Sequence, residues 1–359
     1  MRFRSKVRRI AGLALFGLVA SALLSACGSN GANMMQPAGP VADAERGMAY
    51  LVFIVSAVVF VIVITALIYC VVRFRDRPGA DEPSQLHGNT RLEIIWTIVP
   101  SALLVLILVL TVSTMFNIAT PPTNRPSITI NAIGHQWWWE FEYVGQHVVT
   151  ADQLNIPVNT VVKINLISNN VIHSLWVPQL GGKTDVIPGH DNTMWLEATK
   201  YDPNNATNNL YRGECTEFCG TQHAHMDFVV VVQNQSDFNT WIAQQQQPAT
   251  QPAAGSTEAL GKQVFLSSGC TGCHKIDGVT PNTTATLIGP NLTHFGSRLL
   301  IAGGVLDNNP SNLSEWIYNA QVVKPGVDMP AFNGSQSPTY PSLSSDQLND
   351  LVAYLESLQ

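Results

Sequence analysis

The stretch Cys215-Thr-Glu217-Phe-Cys219-Gly-Thr-Gln-His223-Ala-His225-Met226 sets two thiols four residues apart, then an imidazole four and a thioether seven residues after the second thiol. Two thiolates in one loop can both bridge a pair of metal ions, with His223 and Met226 capping the two. A second imidazole must come from elsewhere. His173, in Asn169-Asn-Val-Ile-His173-Ser-Leu-Trp-Val-Pro178, sits in an apolar, strand-like setting suited to that role. Soft thiolate, thioether and imidazole donors select copper, whereas a thioether is a poor zinc ligand. A Cys-x-x-x-Cys pair alone would equally suit a disulfide or a structural zinc site; the histidine and methionine that follow argue against both. With every position filled by protein, two thiolate-bridged coppers spread the charge of one electron and act as a relay, not a catalyst.

Around this loop, β-branched runs at Ser127–Asn131, Thr160–Ile167 and Phe228–Val232 alternate with turns rich in Gly, Pro and Asn. The pattern from Ser127 to about Gln233 predicts an all-β unit packed as a small sandwich or barrel. Gln244-Gln245-Gln246-Gln247-Pro248 and the Ala, Thr, Pro and Gly residues up to Gly255 lack the apolar content to fold and read as a tether. Beyond it the period becomes helical: Leu348, Leu351, Val352 and Leu355 share a helix face, with Ser344 or Ser345 as caps.

Cys270-Thr-Gly-Cys273-His274 has the spacing for covalent c-type heme attachment, two thioethers with an axial histidine beside them. Gly289-Pro-Asn-Leu292 follows, and Val327-Asp-Met329-Pro-Ala-Phe332 supplies Met329 as the sixth ligand, with His294 as its competitor. Gly261 and Phe265 precede the motif at helical spacing and are placed to pack on Tyr354 and Leu355.

Upstream, Arg2, Arg4, Lys6, Arg8 and Arg9 precede an apolar run from Ile10 to Leu24 that ends in Leu24-Ser25-Ala26-Cys27. Residues 1–26 read as an export signal, and its end resembles a lipoprotein processing site with Cys27 as lipid acceptor. The alternative is an uncleaved anchor. After an extracytoplasmic segment at 27–49, Tyr50–Val72 and Ile94–Ile118 carry no charge. At ~1.5 Å per residue, each can cross a hydrocarbon core of roughly 30 Å. Arg73, Arg75, Arg77 and Arg91 place the loop 73–93 in the cytoplasm by the positive-inside rule, so everything after Ile118 is expected outside. The composition agrees: 46% of the 359 residues are hydrophobic, only 12% are charged, and a formal net charge of −6 argues against nucleic-acid binding. Of the six cysteines, all but Cys70 fall within these motifs, which argues against a disulfide framework.

The stretch from the first span to Gln233 resembles subunit II of cytochrome c oxidases, and residues 256–359 resemble a class I cytochrome c. Gly134-His-Gln-Trp137-Trp-Trp139-Glu-Phe-Glu-Tyr143 is similar to the family's aromatic segment, and Glu93-Ile-Ile-Trp-Thr-Ile-Val-Pro100 to the start of its second span. The resemblance implies a multidomain membrane protein: a two-helix transmembrane hairpin (50–118), a cupredoxin-like all-β sandwich (119–243), a linker (244–255) and an all-α class I cytochrome c domain (256–359). It implies dinuclear copper (CuA) on His173, Cys215, Cys219, His223 and Met226 with the Glu217 carbonyl. The Glu217 carboxylate would reach a magnesium ion shared with subunit I. Trp137 becomes the electron entry point and Glu93 the mouth of a proton path, while Trp138, Trp139 and Tyr143 also suit plain core packing.

The implied function is the electron-entry subunit of a terminal oxidase in a bacterial cell membrane. Electrons from a donor cytochrome or cytochrome bc-type complex would pass through heme c and CuA to heme a of subunit I, where oxygen is reduced and protons are pumped; subunit III is a further expected partner. Two alternatives stand beside it, the CuA-bearing subunit of a nitric oxide reductase and a free-standing electron-transfer lipoprotein. Quinol oxidase relatives lack the copper ligands, so quinol is not the expected substrate. The chain departs from the family at Asn170, where an acidic residue helps dock a soluble cytochrome, and at His190, where an arginine is usual. Between residues 124 and 235 ten acidic side chains face five basic ones, and the tail carries eight against four. Net charge therefore does not draw the two domains together, and the tether is expected to bring them into contact.

Overall fold

A computed structural model describes residues 32–75, 79, 88–281, 288–336 and 338–359. The export signal at 1–26, Cys27 and most of the loop 73–93 lie outside the described residues. Two long helices come first, α1 (Pro40–Arg73) and α2 (Thr90–Ala119). Their apolar side chains face outward and none of α2 is buried in protein, as a lipid-facing hairpin requires.

The first helix begins ten residues before the expected span, because the apolar run marks only the part fit for lipid. Pro40 suits the first helical turn, where its missing N–H leaves no bond unmade. Val41 is buried against Val161 and Trp195, with Ile118 of α2 packed on the same cluster. Gly39 is needed there: a Cβ would strike the Glu197 carbonyl oxygen. The Trp195 indole donates to the Ile118 carbonyl (2.7 Å), Lys200 Nζ donates to the Pro37 carbonyl (2.6 Å), and Arg125 forks onto the buried Glu197 carboxylate. The β-domain is thus fixed on the ends of both helices.

That domain is a sandwich of two five-stranded sheets. One runs β3 (Val148–Ala151), β2 (Trp138–Tyr143), β1 (Ser127–His135), β5 (Val161–Ser168) and β8 (Asn192–Leu196). The other runs β4 (Gln153–Pro157), β10 (Asp227–Gln233), β9 (Leu210–Cys215), β6 (His173–Trp176) and β7 (Thr184–Val186). The inner faces bury Ile130, Ala132, Trp139, Phe141, Leu154 and Phe228 in one core. Trp139 and Tyr143 are therefore packing residues, and Trp138 stacks on His135 at 4.2 Å.

Helix α3 (Gln235–Gln245) runs where the sequence reading placed the end of the domain and the start of the tether. Asn234 caps it, and Phe238, Trp241 and Ile242 return it to the sandwich; Trp241 meets Tyr143 at 5.2 Å. Residues 246–255 are mostly exposed, yet they are held at a few fixed points. Ala249 is buried in the second core and donates its N–H to Asp277, and Gln246 Nε2 donates to the Gln146 carbonyl.

The last domain holds α4 (Thr257–Ser267), a small hairpin β11 (Leu300–Ile301) and β12 (Leu306–Asp307), α5 (Pro310–Tyr318), a single turn α6 (Ala320–Val323) and α7 (Ser345–Glu356). Ser344 and Gln347 form a reciprocal cap at the start of α7, which buries Leu348, Leu351, Val352 and Leu355. Helices α4 and α7 cross at Gly261, where a Cβ would run into the Asp350 carbonyl and press on Tyr354; Phe265 meets Tyr354 at 6.2 Å. Gly261→Ala should force the crossing apart and destabilise this domain by roughly 1–3 kcal/mol, the usual cost of overpacking. Denaturant unfolding followed at the carboxyl-terminal domain measures it, and an unchanged midpoint would contradict the packing described.

Candidate functional site

Strand order assembles the sulfur cluster. Strand β9 ends on Cys215 and pairs with β6, which begins on His173; Leu175 stands opposite Cys215. The loop between β9 and β10 carries Cys219 and His223 and returns at Met226, whose carbonyl accepts from the Cys215 N–H at 3.0 Å. Gly134 on the facing sheet leaves room for the imidazole, since a Cβ there would lie 2.7 Å from the His173 ring.

The donor atoms converge. Cys215 Sγ lies 3.8 Å from Cys219 Sγ and 3.9 Å from His173 Nδ1. Cys219 Sγ lies 3.7 Å from His223 Nδ1 and 3.8 Å from Met226 Sδ. The Glu217 carbonyl lies 3.4 Å from Cys215 Sγ. Both cysteines are free and buried, as are His173 and Met226. The contact between the two sulfurs lowers the Cys215 thiol, with His173 adding to the effect, and pushes the Cys219 thiol up. Two soft sulfurs, two imidazoles and a thioether around one small volume fit copper ions held between them.

Asn170 turns the His173 ring. Its Oδ1 lies 3.1 Å from His173 Nε2 and accepts that N–H, which leaves Nδ1 free to face the sulfurs. The Val171 N–H at 2.7 Å fixes the same oxygen. The sequence reading treated Asn170 as a lost docking acid; in the fold it orients the His173 ring. His225, unused by the donor set, donates from Nδ1 to Gln222 Oε1 at 2.7 Å. His190 lies exposed in the turn after β7, bridged to Ile187.

Trp137 covers the cluster. Its Nε1–H donates to the Cys219 carbonyl at 3.0 Å, and Gly220, with φ of 121°, makes room for the indole. Glu93 is not brought to this site. It stands exposed in the first turn of α2, at the other end of a helix ~45 Å long at 1.5 Å per residue.

The carboxyl-terminal domain carries an apolar pocket lined by Cys270, Cys273, His274, Met329, Phe265 and Leu351, among others, with Trp137 of the copper domain on its edge. The two cysteines and the histidine lie on a tight turn just after α4; the His274 N–H bonds back to the Cys270 carbonyl at 3.0 Å. His274 Nδ1 donates to the Pro290 carbonyl at 2.9 Å, so Nε2 is free, and burial lowers its pKa and keeps the ring neutral. Gly289 lies against that ring, where a Cβ would come within 2.5 Å of it. The Gln321 amide donates to the Val327 and Met329 carbonyls and fixes the methionine loop. Two thiols, a neutral imidazole and a thioether around an apolar slot fit a covalently held heme. His294 points elsewhere: its Nε2 bonds the Gln245 and Gln247 carbonyls at 3.1 and 3.0 Å, and so pins the linker.

The family model for the transmembrane domain of cytochrome c oxidase subunit II matches residues 28–113, that for its periplasmic domain matches 146–233, and that for cytochrome c matches 258–359. Cytochrome c oxidase subunit 2 of Alkalihalophilus pseudofirmus strain OF4 is 37% identical over 345 residues, covering 94% of each chain. That of Bacillus sp. strain PS3 is 35% identical over 353 residues, covering 96% of each. The solved periplasmic domain of the Bradyrhizobium japonicum subunit II is 27% identical, covers 34% of this chain and 94% of its own, and has a TM-score of 0.30. The chain belongs to the cytochrome c oxidase subunit II family, as a two-span membrane protein with a cytochrome c domain at its carboxyl-terminal side.

Proposed function

We propose that the chain is the electron-entry subunit of a terminal heme-copper cytochrome c oxidase, with His173, Cys215, Cys219, His223, Met226 and the Glu217 carbonyl holding dinuclear CuA. Cys270, Cys273, His274 and Met329 hold heme c in the same reading, and the Glu217 carboxylate reaches a magnesium ion shared with subunit I. The supporting observation is the convergence of five donor atoms within 3.7–3.9 Å of a neighbour, beneath an indole that is hydrogen-bonded to the cluster's own backbone. Bound copper and heme supply one-electron redox chemistry, and the protein's part is to hold them at fixed positions and keep water out.

Burial of His173, Cys215, Cys219 and Met226 excludes solvent from that volume. The two sulfurs share charge, so a change of one electron asks little movement of their surroundings. Trp137 is the entry route for electrons leaving the cytochrome c domain. Heme a of subunit I receives them, subunit III completes the complex, and a cytochrome or cytochrome bc-type complex is the donor. The two domains lie on the extracytoplasmic side, Glu93 opens a proton path on the other, and Cys27 carries lipid.

Cys215→Ser or Cys219→Ser in the purified complex should abolish the mixed-valence copper spin signal while heme c stays reducible; an intact signal would remove the ligand assignment. Asn170→Ala should weaken copper binding ten- to a hundredfold, the usual cost of losing a group that orients a ligating imidazole, and Asn170→Asp should largely preserve it. Copper titration of the apoprotein reads both. Met329→Ala should eliminate the sulfur-to-iron charge-transfer band with covalent attachment retained, and His294→Ala should leave the band in place. The opposite pattern would exchange the two ligands. Mass spectrometry of the mature chain should find Cys27 first and lipid-modified; a chain beginning at Met1 would mean an uncleaved anchor.

A further inference from the structure

The rim of the heme pocket lies against the Trp137 face of the copper domain through a seam of buried polar contacts. Lys324, five residues before Met329, is 1% exposed, and its Nζ donates across the seam to the Trp137 carbonyl (2.6 Å) and within its own domain to the Ala302 carbonyl (3.0 Å). Beside it the Gln222 amide, set by His225, donates to the Pro325 carbonyl at 2.6 Å. The backbone joins in: the Asp227 N–H donates to the Gly303 carbonyl at 2.9 Å, and the Leu299 N–H donates to Gln153 Oε1 at 2.9 Å.

Asp152 organises this seam from the copper-domain side. It sits between β3 and β4 with φ of 56°, is 6% exposed, and is fixed by the Trp139 N–H on its Oδ1 at 2.9 Å. Lys324 and Arg298 of the other domain act on its charge through space, with no direct ion pair to either among the described residues, and the Gly303 N–H adds to the effect. All three charged groups are desolvated: burial holds Asp152 up at about 6, Lys324 down at about 8 and Arg298 down at about 10. A carboxylate buried this deeply is unfavourable unless opposite charge accompanies it, and among the described residues the cations acting on it, Lys324 and Arg298, belong to the heme domain.

At two positions the loop on the heme side fits nothing larger than glycine. At Gly303, with φ of 72°, a Cβ would strike Lys324 Nζ and lie 2.6 Å from the Trp137 carbonyl. At Gly304, with φ of 80°, it would lie 2.6 Å from the Asp227 carbonyl. Ala302 shares the left-handed conformation at φ of 57°. Such a loop matches one surface at backbone distance.

We propose that Lys324, hydrogen-bonded to the Trp137 carbonyl with Asp152 as a nearby counter-charge, is a buried interdomain latch that holds the heme pocket rim on Trp137, so that the two redox sites are pre-docked and do not meet by diffusion of a tethered domain. The inference rests on the copper-and-heme reading above. Lys324 and Asp152 are positioning residues, acting through the Trp137 backbone and the 302–304 loop, and neither is a ligand.

The test uses the full chain in its purified complex, with Lys324→Met, the near-isosteric Asp152→Asn, and the double variant. Hydrogen exchange across residues 299–304 reports docking without reference to activity, and flash-induced heme-to-copper transfer at rising viscosity reports its consequence. The wild-type segment should be protected and its transfer rate independent of viscosity. Each single variant should lose at least tenfold in protection and acquire a viscosity-dependent rate, with heme and copper spectra unchanged. The double variant should lose no more than the worse single, since both remove one latch. Protection retained in both singles, additive losses in the double, or a viscosity-dependent wild-type rate would overturn the latch; the wild-type measurement stands even where a variant fails to fold. Absence of copper or heme signals in the wild-type complex would instead defeat the underlying reading.

Discussion

The register of β6 against β9 is the constraint on which the site depends. With Leu175 opposite Cys215, the Thr216 N–H reaches the Ser174 carbonyl at 3.0 Å, and His173 is delivered beside the first sulfur. A slip of one residue would turn every side chain of β6 to the other face of the sheet and send the imidazole out of the cluster. Neighbouring positions hold the register. Phe228 of β10 lies over Gly213 of β9, where any Cβ would meet its ring, and packs on Trp139 and Phe141 at 5.9 and 5.2 Å. The aromatic segment that ends in Tyr143 thus supports the site from below while Trp137 covers it from above.

The parts of this arrangement readable from sequence were those carried by local spacing. Cys215 to Met226 lie in one loop, Cys270 to His274 in one turn, and the α7 face repeats at helical period, so chain connectivity alone brings those groups together. The long apolar runs read just as directly, although they mark lipid contact and not helix length, which is why α1 begins at Pro40 and not at Tyr50. Helix α3 was obscured by the glutamine run at its end, yet Asn234 as a cap and Phe238, Trp241 and Ile242 at helical spacing were present signals. Asp152, Gln222 and Lys324 were not legible. Each is an ordinary polar residue whose role comes from a partner far along the chain, and in sequence a lone Asp or Lys reads as solvated surface.

Net charge misleads at the domain seam for a related reason. Both domains carry an excess of acidic side chains, and the acid expected at the docking position is replaced by Asn170. Charges spread over a surface are screened within about 8–10 Å at ordinary salt, whereas the few at the seam are buried and screened much less. A count of exposed acids therefore says little about one inward-facing carboxylate and two inward-facing cations. The replacement at Asn170 is also consistent with a site whose neighbour is part of the same chain: there the oxygen serves His173 and is not needed to attract a diffusing protein.

Covalent linkage sets how strong such a seam must be. Most of its contacts are hydrogen bonds to backbone carbonyls, each contributing only about 0.5–1.5 kcal/mol net, and binding between separate proteins would have to offset lost translational freedom as well. A domain on a short linker sees its partner at an effective concentration of order 1 mM. An interface with a Kd near ~10 μM would then be occupied about 99% of the time, because occupancy follows the ratio of those two concentrations. The linker itself is held at fixed points, with Ala249 buried and His294 holding the Gln245 and Gln247 carbonyls, which narrows the search further. Modest polar contacts thus suffice to keep the cytochrome c domain seated on Trp137. A soluble protein competing for the same face would need to match that local concentration, so the face is in effect reserved for the domain already attached to it.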